Sequence, residues 1–275
     1  LPSIVSEDFD PLAVPVSPAA TVMLLDDRPE LQVLMLRRTA KVVFAPDNWV
    51  FPGGRVDPED HVDDFDRLCQ GLTDRDASAI IDVERGGLAW WLAACRETLE
   101  EAGLLLAADL APTVDVHDLR DRVRADEDRF VDLMLDNRLT LDVTAIEEVA
   151  RFITPVGPPR RFDARFFVAK TPHSQIAQQD DGEIVNLAWL QPQEALDRWR
   201  RDEMTMMTPT VRMLECLSRY DSVDDVLRVA RKRLPYQRVR VADPDGDYRV
   251  LLPGEEGYAD ADVEVETGWI RLWEQ

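Results

Sequence analysis

Apolar runs at residues 19–25 and 31–37, separated by the turn sequence Asp26-Asp27-Arg28-Pro29, predict a β-hairpin. Pro52-Gly53-Gly54 then breaks the chain sharply. Residues 61–87 read as one or two short helices between turns, and Thr73 or Asp74 is placed to cap the second. Residues 88–102 carry the strongest helical pattern in the chain, with Gly103 at the position where helices commonly stop. The charged stretch 113–139 is expected to be helical. Strands are predicted at 148–154, at the aromatic-rich 161–170 and at 184–190. Helices follow at 192–204, from Pro209 to about 220, and at 222–233. The tail, 237–270, has short β-like runs among the turn signals Asp243-Pro244-Asp245-Gly246 and Pro253-Gly254. Strands and helices mix without strict alternation, which favours an α+β fold with helices covering a mixed β-sheet.

Composition narrows the chemistry. Hydrophobic residues make up 45% of the 275, enough to bury a real core. No run reaches the eighteen or so apolar residues of a membrane span. The acidic, proline-rich start has no basic n-region and no apolar h-region, so neither a membrane segment nor a signal peptide is expected. Cys69, Cys95 and Cys216 form no CxxC pair, which points to a reducing, cytoplasmic compartment. His61, His117 and His173 are equally scattered, so any metal should be held by oxygen ligands, as Mg²⁺ or Mn²⁺ would be. A net charge of −22 repels nucleic acid at long range. Local arginines and a bound cation still leave room for a small phosphorylated substrate.

The 88–102 helix carries the candidate chemistry. At about 100° per residue, Glu97, Glu100 and Glu101 fall within an arc of about 100°. Leu88, Trp91, Leu92, Cys95, Leu99 and Ala102 lie opposite, so one face can bury while the other presents three carboxylates. Like charges at this spacing repel. A divalent cation reverses that sign and makes the three a chelating set. The competing explanation is a solvated acidic face, which a chain with 54 acidic residues can easily supply.

The surrounding residues bear on that choice. Arg96-Glu97-Thr98-Leu99-Glu100-Glu101-Ala102-Gly103-Leu104, with Phe51-Pro52-Gly53-Gly54 upstream, resembles the two halves of the Nudix box, GX5EX7REUXEEXGU. The arginine, the three glutamates and the final glycine match in spacing. Asp60 stands where the box has its first glutamate, and Thr98 replaces an apolar residue. Between Asp60 and Arg96 lie thirty-five residues where the pattern has seven, so an insertion splits the box. Split boxes resemble the coenzyme A diphosphatase branch of the family. Val33-Leu34-Met35-Leu36-Arg37-Arg38, Phe152-Ile153-Thr154-Pro155 and Trp189-Leu190-Gln191-Pro192 are also similar to that branch, and the likeness covers roughly residues 18–220.

The resemblance implies an α/β/α sandwich over 1–220, an insertion at 61–88, and a C-terminal extension, 221–275, packed on the same domain. It implies hydrolysis of a phosphoanhydride in coenzyme A or acyl-CoA, with ADP-ribose, NADH or another nucleoside diphosphate derivative as alternatives. A non-catalytic nucleotide sensor is the alternative of another class. Glu97, Glu100 and Glu101 would carry Mg²⁺ or Mn²⁺, with the Gly54 carbonyl as a further ligand. Arg96 would hold a glutamate in place, and Glu183, in Asp180-Asp181-Gly182-Glu183, is the candidate for an additional acid. Arg37 and Arg38 with Lys41, and Arg160 and Arg161 with Arg165, are candidate substrate contacts, against the plainer reading of surface ion pairs. Phe162, Phe166, Phe167 and the methionines Met204, Met206, Met207 and Met213 are better explained as core than as a substrate passage. By family analogy a homodimer is expected.

Overall fold

The computed structural model describes residues 10–40, 45–63, 65–179, 183–242, 249–261 and 268–272. Lys41, residues 180–182, the predicted turn sequence at 243–246 and the last three residues lie outside them. The hairpin is β1 (Val16–Asp27) and β2 (Leu31–Arg38), followed by the short β3 (Trp49–Val50) and β4 (Gly53–Arg55). The insertion contributes β5 (Cys69–Gln70) and α1 (Asp74–Ile81). Then come α2 (Leu88–Ala102), α3 (Val116–Arg124), α4 (Phe130–Asp136) and β6 (Leu141–Asp142), which pairs with β5. After these run β7 (Ile146–Ile153), β8 (Arg161–Lys170), β9 (Ile184–Leu190), α5 (Pro192–Arg200), α6 (Thr208–Leu217) and α7 (Val223–Ala230). The tail holds β10 (Gln237–Arg238), β11 (Arg240–Ala242), β12 (Arg249–Leu251) and β13 (Gly268–Ile270).

Several predicted helices are shorter than their pattern: α6 ends at Leu217 and α7 at Ala230, and two others differ more. The stretch 113–139 divides into α3 and α4, and Asp126 between them takes a left-handed φ of 55° that no helix continues through. The helix predicted to 204 stops at Arg200, ahead of Asp202 at φ 57°.

Nine strands form one mixed sheet in the order β10-β13-β7-β8-β1-β2-β3, with β4 also on β1 and β9 on β2. β1 and β8 run parallel, and the other pairings in this sheet are antiparallel. Successive side chains alternate between faces, so β1 feeds two cores. Val22 and Leu24 pack with Trp91, Leu92 and Phe167 under α2. Met23 and Leu25 pack with Val168, Met213, Leu214 and Val226 under α6 and α7. Helices therefore cover both faces of the sheet. Met204, Met206 and Met213 are buried in the second core, Phe166 packs on Phe152 at 5.5 Å, and Phe167 packs on Trp91 at 4.9 Å. The segment after residue 217 enters the sheet itself: β13 pairs with β7, and β10 with β13.

The insertion is tied into the same framework. α1 is capped by Thr73, whose hydroxyl accepts from the Asp76 amide. At its other end, the carbonyls of Ile80 and Ile81 accept from Arg271 and Arg165. Both guanidiniums pair with the fully buried Glu148 on β7, at 3.4 and 3.8 Å. The Tyr236 hydroxyl donates to Glu148 at 2.6 Å. Burial pushes the Glu148 carboxyl up to about 7, against the pull of these partners.

Candidate active site

Helix α2 is held at both ends by groups outside it. Its N-cap is Gly87, which has no side chain to cap with. The insertion supplies the missing acceptors: Asp74 accepts from the amides of Gly86 (2.9 Å) and Leu88 (3.0 Å), and Ser78 accepts from Gly87 (2.9 Å). At the far end Gly103 takes φ 65°, the left-handed conformation that glycine adopts without strain. The Glu100 carbonyl accepts from Arg120, and the Ala102 carbonyl from the Gln178 amide. In mid-helix, Trp91 Nε1 donates to the Ile146 carbonyl of β7 at 2.9 Å.

The three glutamates therefore stand on a fixed support, facing β4. Gly54 lies against Glu97 so closely that a β-carbon there would sit 2.3 Å from Glu97 Oε1. The neighbouring Gly53 amide donates to Glu101 Oε2 at 2.9 Å. Arg96 is the hub. Its Nε and Nη2 donate to the two oxygens of Asp60, at 3.0 and 2.9 Å, and Nη2 also reaches the Arg55 carbonyl. Its Nη1 donates to Glu97 Oε1 at 2.8 Å and Glu100 Oε1 at 3.1 Å. Asp60 is 1% exposed and accepts the Asp57 amide as well.

The electrostatics are lopsided. Burial, with Glu100 adding to it and Arg96 opposing, pushes Glu97 up to about 7. Burial and the Glu97 charge push Glu101 up to about 8, while the Gly53 amide and Arg38 pull it down and Glu183 pushes it further up. Glu100 is raised by burial, with Arg96 again opposing. All three also sit near the C-terminal, negative end of the helix dipole. Burial works against the Arg96 charge too, yet its bonds to Asp60 and its acidic neighbours hold it protonated.

The sequence candidates separate clearly here. Glu97, Glu100, Glu101, Arg96, Gly54 and Arg38 come together, with Arg38 3.7 Å from Glu101 Oε1 and 2.8 Å from Glu183 Oε2. Arg37 turns out to Asp47. Arg161 stands at the start of β8 and donates to the Thr154 carbonyl. The expectation that Arg165 meets substrate is corrected: it is 2% exposed, and its guanidinium is committed to Ile81, Glu148 and Tyr236. Sequence reasoning missed the Asp74 and Ser78 cap, because only the fold brings residues 74–78 to the amides of 86–88.

The three carboxylates do not meet at one point; among the described residues no three Glu, Asp, His or Cys side chains are gathered as a ready cation site. The donor set nevertheless suits a hard divalent cation. It consists of carboxylate oxygens whose charge is penalised by burial, and Gly54 leaves open a cradle that any larger residue would fill. Beside Glu100 and Arg96 opens a cavity of about 460 Å³, walled by Asp57, Asp60, Arg129 and Phe130. No helix among the described residues is long and apolar enough to cross a membrane.

The comparisons with known proteins agree with this geometry. The family model described as the NUDT19 Nudix domain matches residues 13–217. An acyl-coenzyme A diphosphatase NUDT19 of Gallus gallus is 27% identical over 83% of this chain and 73% of its own length. The protein of that name from Homo sapiens is 26% identical over 82% and 72%. A crystal structure of a NUDIX hydrolase from Alicyclobacillus acidocaldarius shares the fold at a TM-score of 0.67 and 24% identity, over 78% of this chain and 97% of the other. With the split box folded so that its three glutamates share one face of a capped helix, and a family match over most of its length, the chain is a Nudix hydrolase and belongs to the NUDT19 Nudix domain family.

Proposed function

We propose that this Nudix hydrolase uses Mg²⁺ or Mn²⁺ to cleave the diphosphate of coenzyme A or acyl-CoA, giving 3′,5′-ADP and 4′-phosphopantetheine. The chemistry rests on one observation: Glu97 and Glu100 share the guanidinium of Arg96, and Glu101, on the same face of α2, accepts from the Gly53 amide beside Gly54. The substrate rests on the likeness to the acyl-coenzyme A diphosphatases.

Glu97, Glu100 and Glu101, with the Gly54 carbonyl, would hold the cation. When bound, it supplies positive charge to the diphosphate and makes water a competent nucleophile at neutral pH. Arg96, braced by Asp60, fixes one oxygen of Glu97 and one of Glu100. Each keeps a second oxygen that Arg96 does not engage, and one of these takes the proton from the attacking water. The Gly53 amide fixes Glu101. The acidic walls of the adjoining cavity disfavour a second phosphate and suit the uncharged pantetheine arm.

The test is a substrate panel of CoA, acyl-CoA, ADP-ribose and NADH with Mg²⁺ or Mn²⁺. Turnover of the CoA compounds is expected, abolished by Glu100→Gln. Turnover of ADP-ribose without CoA would overturn the substrate. Nucleotide binding without hydrolysis of any member would favour the sensor.

A further inference from the structure

We propose that Arg38 is a positioning residue, holding the Glu183 carboxylate beside Glu101 instead of taking up a substrate phosphate. The inference rests on the diphosphatase reading and adds a part to its site. The register between β2 and β9 shifts between Arg37 and Arg38. Such irregularities re-aim side chains. Arg37 points outward to Asp47 with 42% of its side chain exposed, while Arg38 keeps 17% and faces the carboxylates.

The Arg38 fork already faces two carboxylates. Nη2 donates to Glu183 Oε2 at 2.8 Å, and Nη1 lies 3.7 Å from Glu101 Oε1. Nε is buried, so the Nη atoms are the ones that face the carboxylates. The backbone repeats the link: the Thr39 amide donates to the Glu183 carbonyl at 2.7 Å, and the Arg38 amide to the Asn48 carbonyl at 2.9 Å. One guanidinium thus joins two carboxylates carried by distant parts of the chain. A phosphate approaching Arg38 would meet both carboxylates and would have to displace Glu183. Without Arg38, Glu101 and Glu183 lose the guanidinium that offsets their mutual repulsion. Lysine presents a point charge and cannot span both acids with a planar fork.

The experiment compares Arg38→Met, Arg38→Lys, Glu183→Gln and the Arg38→Met/Glu183→Gln double variant. It reads steady-state CoA hydrolysis with Mn²⁺ and hydrogen exchange at the Thr39 amide. Each single variant should lower kcat by about tenfold or more with KM changed less than about threefold, and the double variant should be no worse than the poorer single one. Arg38→Lys should recover only part of the loss. Exchange at Thr39 should quicken in Arg38→Met. A KM increase of about tenfold at unchanged kcat would mark Arg38 as a phosphate ligand and overturn the proposal. Multiplying losses in the double variant, or unaltered exchange at Thr39, would overturn it too. If the parent chain cleaves no diphosphate, the diphosphatase reading fails, and the exchange measurement still decides whether Arg38 holds Glu183.

Discussion

Replacing Asp60 with asparagine tests the hub of the site at its most buried point. Asp60 is 1% exposed and receives Arg96 through two nitrogens and Asp57 through its amide. Removing one partner of a buried ion pair costs about 3–5 kcal/mol when nothing replaces it. Asparagine keeps one acceptor oxygen, and Arg96 keeps Glu97, Glu100 and the Arg55 carbonyl. The expected loss is therefore about 2–3 kcal/mol. Urea unfolding followed by tryptophan fluorescence measures it directly, since Trp90 and Trp91 lie on the same helix. A second effect follows from geometry. Released from Asp60, Arg96 should settle more fully on Glu97 and Glu100 and compete with a cation for their oxygens. Mn²⁺ affinity, read by electron paramagnetic resonance, should fall together with stability. A stability loss under about 0.5 kcal/mol with unchanged Mn²⁺ affinity would refute the view of Asp60 as the brace of Arg96.

Other consequences can be measured separately. Gly54→Ala places a carbon 2.3 Å from Glu97 Oε1, so hydrolysis should fall by about a hundredfold or more while the chain still folds, as circular dichroism and a kinetic assay can establish. Saturating Mn²⁺, at about 100 times its Kd, should stabilise the parent by about 2.7 kcal/mol in a thermal scan, and Glu97→Gln should remove most of that gain. Glu148 gives a pH dependence. Burial raises it from the ordinary glutamate value of 4.5 to about 7 in the folded chain, so its protonated form favours the fold. That contribution is fully present below about pH 4.5 and is lost as pH rises through about 7. At about 1.4 kcal/mol per tenfold change it amounts to about 3 kcal/mol. Glu148→Gln should flatten this part of the curve of unfolding free energy against pH. A chain ended at Leu217 should fail to fold, because Val226, Val229 and Ile270 belong to the second core; a soluble, cooperative truncation would disprove that.

The sequence carried much of this architecture because local patterns and tertiary packing agree in it. The 88–102 pattern set both the buried face and the acidic face of α2, and the structure begins and ends that helix where the pattern does. The family and the mixed sheet were legible for the same reason: motif spacing and apolar runs are local signals. What stayed hidden depends on which side chain wins a partner from another part of the chain. Arg165 looks like a substrate arginine in a basic run, but β8 places it next to Ala20 and beneath the end of α1. Arg38 and Glu183 were each visible, yet their meeting depends on a register shift that no spacing rule announces.

The twenty-eight extra residues in the box bear on any attempt to shorten it. Residues 61–88 contain the two side chains that accept from the amides at 86, 87 and 88. Excising them to recover the compact spacing would leave the glutamate-bearing rod with a frayed beginning, at a cost of about 0.5–2 kcal/mol. It would also leave Arg165 and Arg271 facing vacated carbonyl positions beside Glu148. A successful minimal version would need a serine or aspartate grafted directly ahead of Ala89 and an apolar pair in place of the two arginines.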